Sequence, residues 1–369
     1  MKLLTRIILL CVISLMLLGG VLVFSASGTY SQMKFNNFYY LFNSHLWKII
    51  AAIGVMVIFA SIPYEFYKRY SKQAMFGIVF LLVLTLFIAP SVKGASRWIN
   101  LGFIQFQPSD LAKIILIMHL AVLIEKKNEI LHDFKNGLIY LLFWVFLISG
   151  LVLVQPNLST SMIIILTSFT LLYIGGARLK HILFTLSGTA SVGFIMMMLF
   201  SHSRQRILAF INSFGSETSM NIQVYQAKVA LGSGGLIGKG IGNSRQSDLF
   251  LPESYGDFIF SILGEEYGFI GAVVTLLIYL TIFLAGLIIA KKATDKFGQL
   301  LAFGLSFNII ISAFINAGVV SGILPTTGIT LPFISFGGTS IIVFGLSVGI
   351  ILSIAKETIK KRELRLAQA

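Results

Sequence analysis

The chain has 369 residues, 56% of them hydrophobic and 11% charged, with a mean hydropathy of +0.90. A water-soluble protein of this length cannot enclose so much apolar surface, which excludes a soluble globular fold and leaves lipid as the main solvent. The net charge of +14 calls for no nucleic acid partner, because Lys and Arg gather in short segments between apolar runs, where membrane sorting and anionic lipid place them.

Ten apolar runs are long enough to cross about 30 Å of hydrocarbon. They cover 7–27, 45–62, 74–90, 109–124, 137–154, 158–175, 182–200, 258–290, 298–324 and 333–355. The pattern predicts an all-α polytopic membrane protein, a single domain over 1–369. It has a large extracytoplasmic loop at 201–256 between helices 7 and 8 and a basic tail at 356–369. An even number of spans puts both termini on one side. The short segments on that side hold most of the 28 Lys and Arg residues, which makes it cytoplasmic.

Lys2, Arg6, an apolar run and "SASG" resemble a signal peptide. The run at 7–24 exceeds the about 7–15 residues of such a region, so an uncut first helix is expected. Cys11, the single cysteine, lies within it and allows no intrachain disulfide.

The first long outer segment, 91–108, carries "GASRWINLG", with Arg97 and Trp98 side by side. The fourth span follows with Asp110 and Lys113 near its start. Charges inside spanning segments cost about 2.5–3.5 kcal/mol each on insertion scales, so they mark function or a buried pair. The second long segment alternates apolar anchors with glycines in "QVYQAKVALGSGGLIGKGIGNSRQSDLFLPE" and reads as a partly re-entrant stretch at the outer surface. It is not a Walker A loop, since Ser233 and Gly240 stand where Gly and Ser or Thr are needed around Lys239. Histidines 45, 119, 132, 181 and 202 never fall three or four residues apart, so they predict no metal cluster.

"LPESYGDFIFSILGEE" then places Glu253, Asp257, Glu265 and Glu266 within sixteen residues of a chain holding only 14 acids. Glu265 and Glu266 are expected to form a buried ion pair with Lys113, and Gly264 and Gly268 to make a close helix contact. Asp257 falls in the first turn of the eighth span, where it is either a functional carboxylate or a helix cap. Arg97, Lys113, Arg204, Arg206, Lys239 and Arg245 could converge beside it. Arg forks and Lys point charges suit a membrane-attached pyrophosphate, and Trp98 suits an amphiphilic sugar-lipid. A carboxylate base beside such cations reads as group transfer.

Those residues stand in longer motifs that resemble the SEDS family (FtsW, RodA, SpoVE). The likeness runs through "GASRWINLGFIQFQPSDLAK", "QPNLSTS", "SRQRILAF", "YQAKVALGSGGLIGKGIGNSRQ", "LPESYGDFIFSILGEEYGFIG" and "GILPTTGITLPFISFGGTS". The resemblance implies a ten-helix peptidoglycan glycosyltransferase acting on lipid II at the outer face of the cytoplasmic (inner) membrane. It implies Asp257 as general base or ligand of a divalent cation, Mg or Mn. Arg97, Trp98, Lys113, Arg204, Arg206, Lys239 and Glu253 would form the substrate-binding set. A class B penicillin-binding protein and other divisome membrane proteins would be the partners. "GIGNSRQ" and "TGITLPFISFGG" resemble the cell-division branch, FtsW, more than the elongation branch. The chain departs from the family pattern at Tyr255-Gly256, where His-Thr is usual, and at Phe336, where Tyr is usual.

Two rivals are a lipid II flippase and a non-catalytic division scaffold. A flippase needs ionisable groups near the midplane and broken helices, whereas these charges gather toward the outer helix ends. A scaffold would lose Asp257 without harm.

Overall fold

A computed structural model describes residues 1–89, 97–100, 105–127, 129–199, 204, 208, 210, 222–247 and 250–368. The chain is almost entirely helical: α1 Lys2–Phe35, α2 Tyr40–Ser61, α3 Tyr64–Ile88, α4 Pro108–Lys126, α5 Ile139–Val154, α6 Leu158–Gly175 and α7 Leu179–Leu199. After these come α8 Ile222–Ser233, α9 Ile259–Lys292, α10 Lys296–Val320 and α11 Ser340–Gln368. A two-residue hairpin pairs β1 Ile99–Asn100 with β2 Gln105–Phe106, just ahead of α4.

Among the described residues, eight helices are long and apolar enough to cross a membrane. α7 contributes a shorter apolar stretch, Leu179–Ile195. α4 takes the place of the fourth predicted span but is not among those eight. It carries Asp110 and Lys113 yet is buried on nearly every face between α3, α5, α6 and α10. A helix buried all round is apolar all round, so the two charges at its start stand out.

Three of the expected boundaries that move do so for a local reason. α3 begins at Tyr64, ten residues before the predicted span, because the charged turn after Pro63 is already helical. α10 stops at Val320, where Gly322 takes a positive φ of 75° and Ile323 N–H folds back to Gly318 O at 2.8 Å. α11 begins at Ser340 rather than 333. Residues 331–339 form a turn instead, with Leu331 N–H on Ser335 Oγ at 2.8 Å and Phe336 N–H on Tyr255 O at 2.9 Å.

Of the glycine pair expected to pack helices, Gly264 does so and Gly268 does not. Gly264 meets Leu231 of α8, but Gly268 has φ 69° and ψ −169° and breaks α9. A break in lipid is tolerated only when the freed backbone groups find partners, and the glycine-rich loop after α8 provides them. Lys239 N–H and Gly240 N–H donate to Glu265 O and Glu266 O at 3.0 Å each, and Phe269 and Ile270 N–H donate to Gly235 O and Leu236 O at 2.9 and 3.1 Å. Other close helix contacts lie elsewhere. On α11, a Cβ at Gly345 or Gly349 would come within 2.6 Å of Ala52 O or Met56 O on α2, the backbone proximity that small residues permit.

The two glutamates follow the splice. Glu265 takes Lys239 Nζ at 2.6 Å, Ser244 Oγ at 2.6 Å and Ser233 Oγ at 3.1 Å, while Glu266 takes Ser25 Oγ and Gly242 N–H. The expected pairing of Lys113 with either glutamate is therefore replaced. Lys113 pairs instead with Asp110 at 2.9 Å, one helical turn away on α4.

The starts of α2, α4, α6, α9 and α11 gather at one end of the bundle with the end of α10. The opposite end is tied by ion pairs: Lys2–Glu363, Lys68–Glu125 and Lys361–Glu65 at 3.5, 2.5 and 2.6 Å. The first of these puts both ends of the chain at that opposite end.

Candidate functional site

A cavity of about 590 Å³ opens at the first end. Arg97, Trp98, Lys113, Glu253 and Asp257 from the predicted set line it, joined by Lys48, Asp110 and Asn316. Lys239 does not: its ammonium is committed to Glu265, so its expected place on substrate gives way to a structural role. Arg204 is exposed and does not line the cavity, and Arg206 lies outside the described residues.

Asp257 sits on a tight turn over 252–258. Phe258 is the N-cap of α9 and the first helical turn holds no acid, so Asp257 precedes the cap instead of occupying the helix. Glu253 enters the left-handed region at φ 59°, and Gly256 and Phe258 N–H return to Glu253 O at 3.0 and 3.4 Å. Three contacts hold this turn by its main chain. Asn316 Nδ2 donates to Asp257 O at 2.7 Å, Ser335 Oγ to Gly256 O at 2.9 Å, and Phe336 N–H to Tyr255 O at 2.9 Å. Asn316 also donates to Ile329 O at 2.7 Å, joining the end of α10 to both turns. The carboxylate of Asp257 lines the cavity while its backbone is fixed from behind.

The pair "YG" in this turn is explained by packing. Tyr255 lies against Tyr30 and Phe336, with ring centroids 5.3 and 5.7 Å away. Burial, with the Glu253 charge second, pushes its phenol above the ordinary value, so it stays neutral. Gly256 needs no special conformation: its φ is not positive, and a Cβ would meet its nearest atoms at 3.6–3.7 Å. Gly256→Ala is therefore expected to keep the fold and raise stability by about 0.4–1 kcal/mol through the unfolded chain. A thermal melt in detergent checks this.

The cations are held in different ways. Arg97 Nε donates to Gln155 O at 3.1 Å and its Nη2 to Pro156 O, which pins the 97–98 segment to the turn between α5 and α6. Lys113 is balanced by Asp110. Trp98 covers Gly338, where any side chain would collide with the indole ring and with Gln105 O. Lys48 and Asn316 escaped the sequence reading. Lys48 could have been found by the rule that exposed Lys113, since it is a lone charge in "HLWKIIAAIGVMV". Asn316 had no comparable signal, because a polar residue at a helix end is ordinary.

A helical bundle of apolar helices with a carboxylate, cations and an indole around one end cavity defines a polytopic membrane protein with a charged, polar site at one end. A family model described as "Cell cycle protein", that of FtsW, RodA and SpoVE, matches residues 5–360. The chain belongs to this FtsW/RodA/SpoVE family. It is 37% identical over 352 residues to a probable peptidoglycan glycosyltransferase FtsW of Geobacter metallireducens, covering 95% of this chain and 94% of that protein. It is 35% identical over 356 residues to stage V sporulation protein E of Bacillus subtilis, covering 95% and 96%. The fold is shared with rod shape determining protein RodA of Thermus thermophilus, with a TM-score of 0.71 at 23% identity over 95% and 96% of the chains. It is shared too with a chain of a peptidoglycan synthase complex described as coordinating polymerization and crosslinking, with a TM-score of 0.78 at 22% identity over 95% and 97%.

Proposed function

We propose that this chain is a peptidoglycan glycosyltransferase that polymerises lipid II for septal wall synthesis in cell division. The observation that carries the reading is the Asp257 carboxylate on the wall of a cavity that also presents Arg97, Lys113 and Trp98. In the reaction, Asp257 takes the proton of the acceptor's sugar 4-hydroxyl. The freed oxygen attacks the anomeric carbon of the donor, and the bond to undecaprenyl pyrophosphate breaks with inversion. The leaving group departs with the bonding electron pair, and the cations offset its charge.

The cavity lies away from the bundle end that carries the Lys- and Arg-rich segments. By the positive-inside rule it faces outward from the cytoplasmic membrane, with both termini cytoplasmic and the 201–256 segment outside. Arg204 and Arg206 are substrate-binding residues in this reading, and Glu253 binds substrate from the cavity wall. Among the described residues no three His, Cys, Asp or Glu side chains form a metal site. A divalent cation such as Mg or Mn would fit by taking Asp257 together with pyrophosphate oxygens, where it would supply charge neutralisation. The partner is a class B penicillin-binding protein, which crosslinks the strands; the related synthase complex supports this pairing.

The test is strand formation from purified lipid II by the reconstituted protein with its cognate transpeptidase. Long glycan strands on a gel support the proposal. Transfer of lipid II across liposome bilayers without any polymer would replace it with the flippase.

A further inference from the structure

Lys48 is the one cavity cation that the sequence reading did not place and the mechanism above does not use. It lies in the third turn of α2, lines the cavity, and is nine-tenths buried. It makes no hydrogen bond or ion pair among the described residues; its Nζ sits 3.8 Å from the ring centroid of Phe336, with the Phe344 ring beneath Lys113 a looser 5.8 Å contact. An ammonium largely out of water and without a counter-ion is costly to maintain, and an aromatic face offsets only part of that cost.

The other cations differ. Lys113 already has its carboxylate at 2.9 Å, and Arg97 is tethered to two carbonyl oxygens. Lys48 therefore has the larger electrostatic gain from an arriving anion. Its position is tied to the reacting centre as well: Phe336, whose ring it covers, bonds through N–H to Tyr255 O in the turn that presents Asp257.

We infer that Lys48 is a binding residue for the diphosphate of the polyprenyl-linked donor, with Phe336 as the platform that holds its ammonium toward the cavity. The inference rests on the glycosyltransferase reading, which supplies the ligand. It predicts an effect on donor binding more than on the chemical step, since a point charge that meets the diphosphate before and during bond cleavage stabilises both states.

Lys48→Met keeps the stem and its packing and removes the charge. Replacing an unpaired buried charge by an apolar side chain leaves stability equal or higher, so an unchanged or raised melting temperature is expected. Undecaprenyl diphosphate binding, measured on the full chain in detergent, is expected to weaken by about ten- to hundredfold, the range of one charge-assisted hydrogen bond. Undecaprenol binding should not change. The KM for lipid II should rise by a similar factor while kcat moves little, and Lys48→Arg should restore most of the affinity. Lys2→Met, at the opposite end of the bundle, is the control that should match wild type.

A second measurement needs no variant. Reductive methylation of Lys48 in the wild-type chain, read by mass spectrometry, should be blocked by undecaprenyl diphosphate and not by undecaprenol. Equal diphosphate affinity in Lys48→Met, or equal methylation with either lipid, overturns the inference. Those results would leave the glycosyltransferase reading standing, because binding and labelling are read apart from polymerisation. A wild-type chain that binds the diphosphate through Lys48 but makes no polymer would instead overturn the reaction and keep the site.

Discussion

Asp257→Asn is expected to lower glycan-strand formation by about 10²–10⁴-fold, the range that removal of a general base costs, without loss of folded protein. The separation of the two effects follows from how the turn is held. Asn316, Ser335 and Phe336 grip Asp257, Gly256 and Tyr255 through their carbonyl oxygens. An isosteric amide leaves those bonds in place and removes only the basic oxygen. Polymerisation assays paired with a melting curve in detergent check both halves. Asn316→Ala makes the contrast. It leaves one buried and one half-buried carbonyl short of a donor, at up to about 1–3 kcal/mol each, so stability and activity should fall together. Asp257→Asn with undiminished polymer yield would return Asp257 to a purely structural part.

Gly268→Ala is expected to destabilise the chain by about 3 kcal/mol or more. At φ 69° and ψ −169°, residue 268 occupies a backbone region open almost only to glycine, and another residue there is strained by about 1–3 kcal/mol. A Cβ would also strike Gly238 N and Leu236 O in the spliced loop. Each of the four backbone bonds between the loop at 235–240 and the broken helix at 265–270 contributes about 0.5–1.5 kcal/mol. A fall in melting temperature, with new proteolytic cleavage between 234 and 247, is the measurement. Gly256→Ala, twelve residues earlier, supplies the matched control with the opposite sign.

The contrast between these two glycines shows where the sequence was legible. Gly268 and Gly256 look alike in a string of letters, and only the φ angle and the facing atoms separate them. The apolar spans could be read because a lipid solvent imposes length and hydropathy on every crossing helix. Asp257, Lys113, Arg97 and Trp98 could be read because polar or interfacial groups are conspicuous beside so much apolar sequence. The resemblance to the family supplied the chemistry proposed for those groups. Residue pairing could not be read. Lys239 looked like a ligand for substrate until the course of its loop placed it on Glu265, and Lys113 was matched to a glutamate when its partner lay three residues away on the same helix. Lys48 was open to the same rule as Lys113, but nothing in the sequence gives the ring it covers, Phe336 in the turn before α11. The predicted start of the last span at 333 failed because "PFISFGG" is apolar enough for a helix yet is drawn into a turn by Ser335 and Tyr255.

The spliced break in α9 has a consequence for biogenesis. Its donors and acceptors lie close along the chain, with Lys239 and Glu265 only 26 residues apart. Residues 234–247 emerge from the ribosome before α9 does, so the partners of the broken helix are already made when its polar backbone must leave water. The hairpin of loop and helix can close as a local unit at the insertion site, with Ser25 of α1 already in the membrane to receive Glu266. Chain order thus shields the interrupted α9 during synthesis, and moving the glycine loop to the far side of α9 in a permuted chain would expose it.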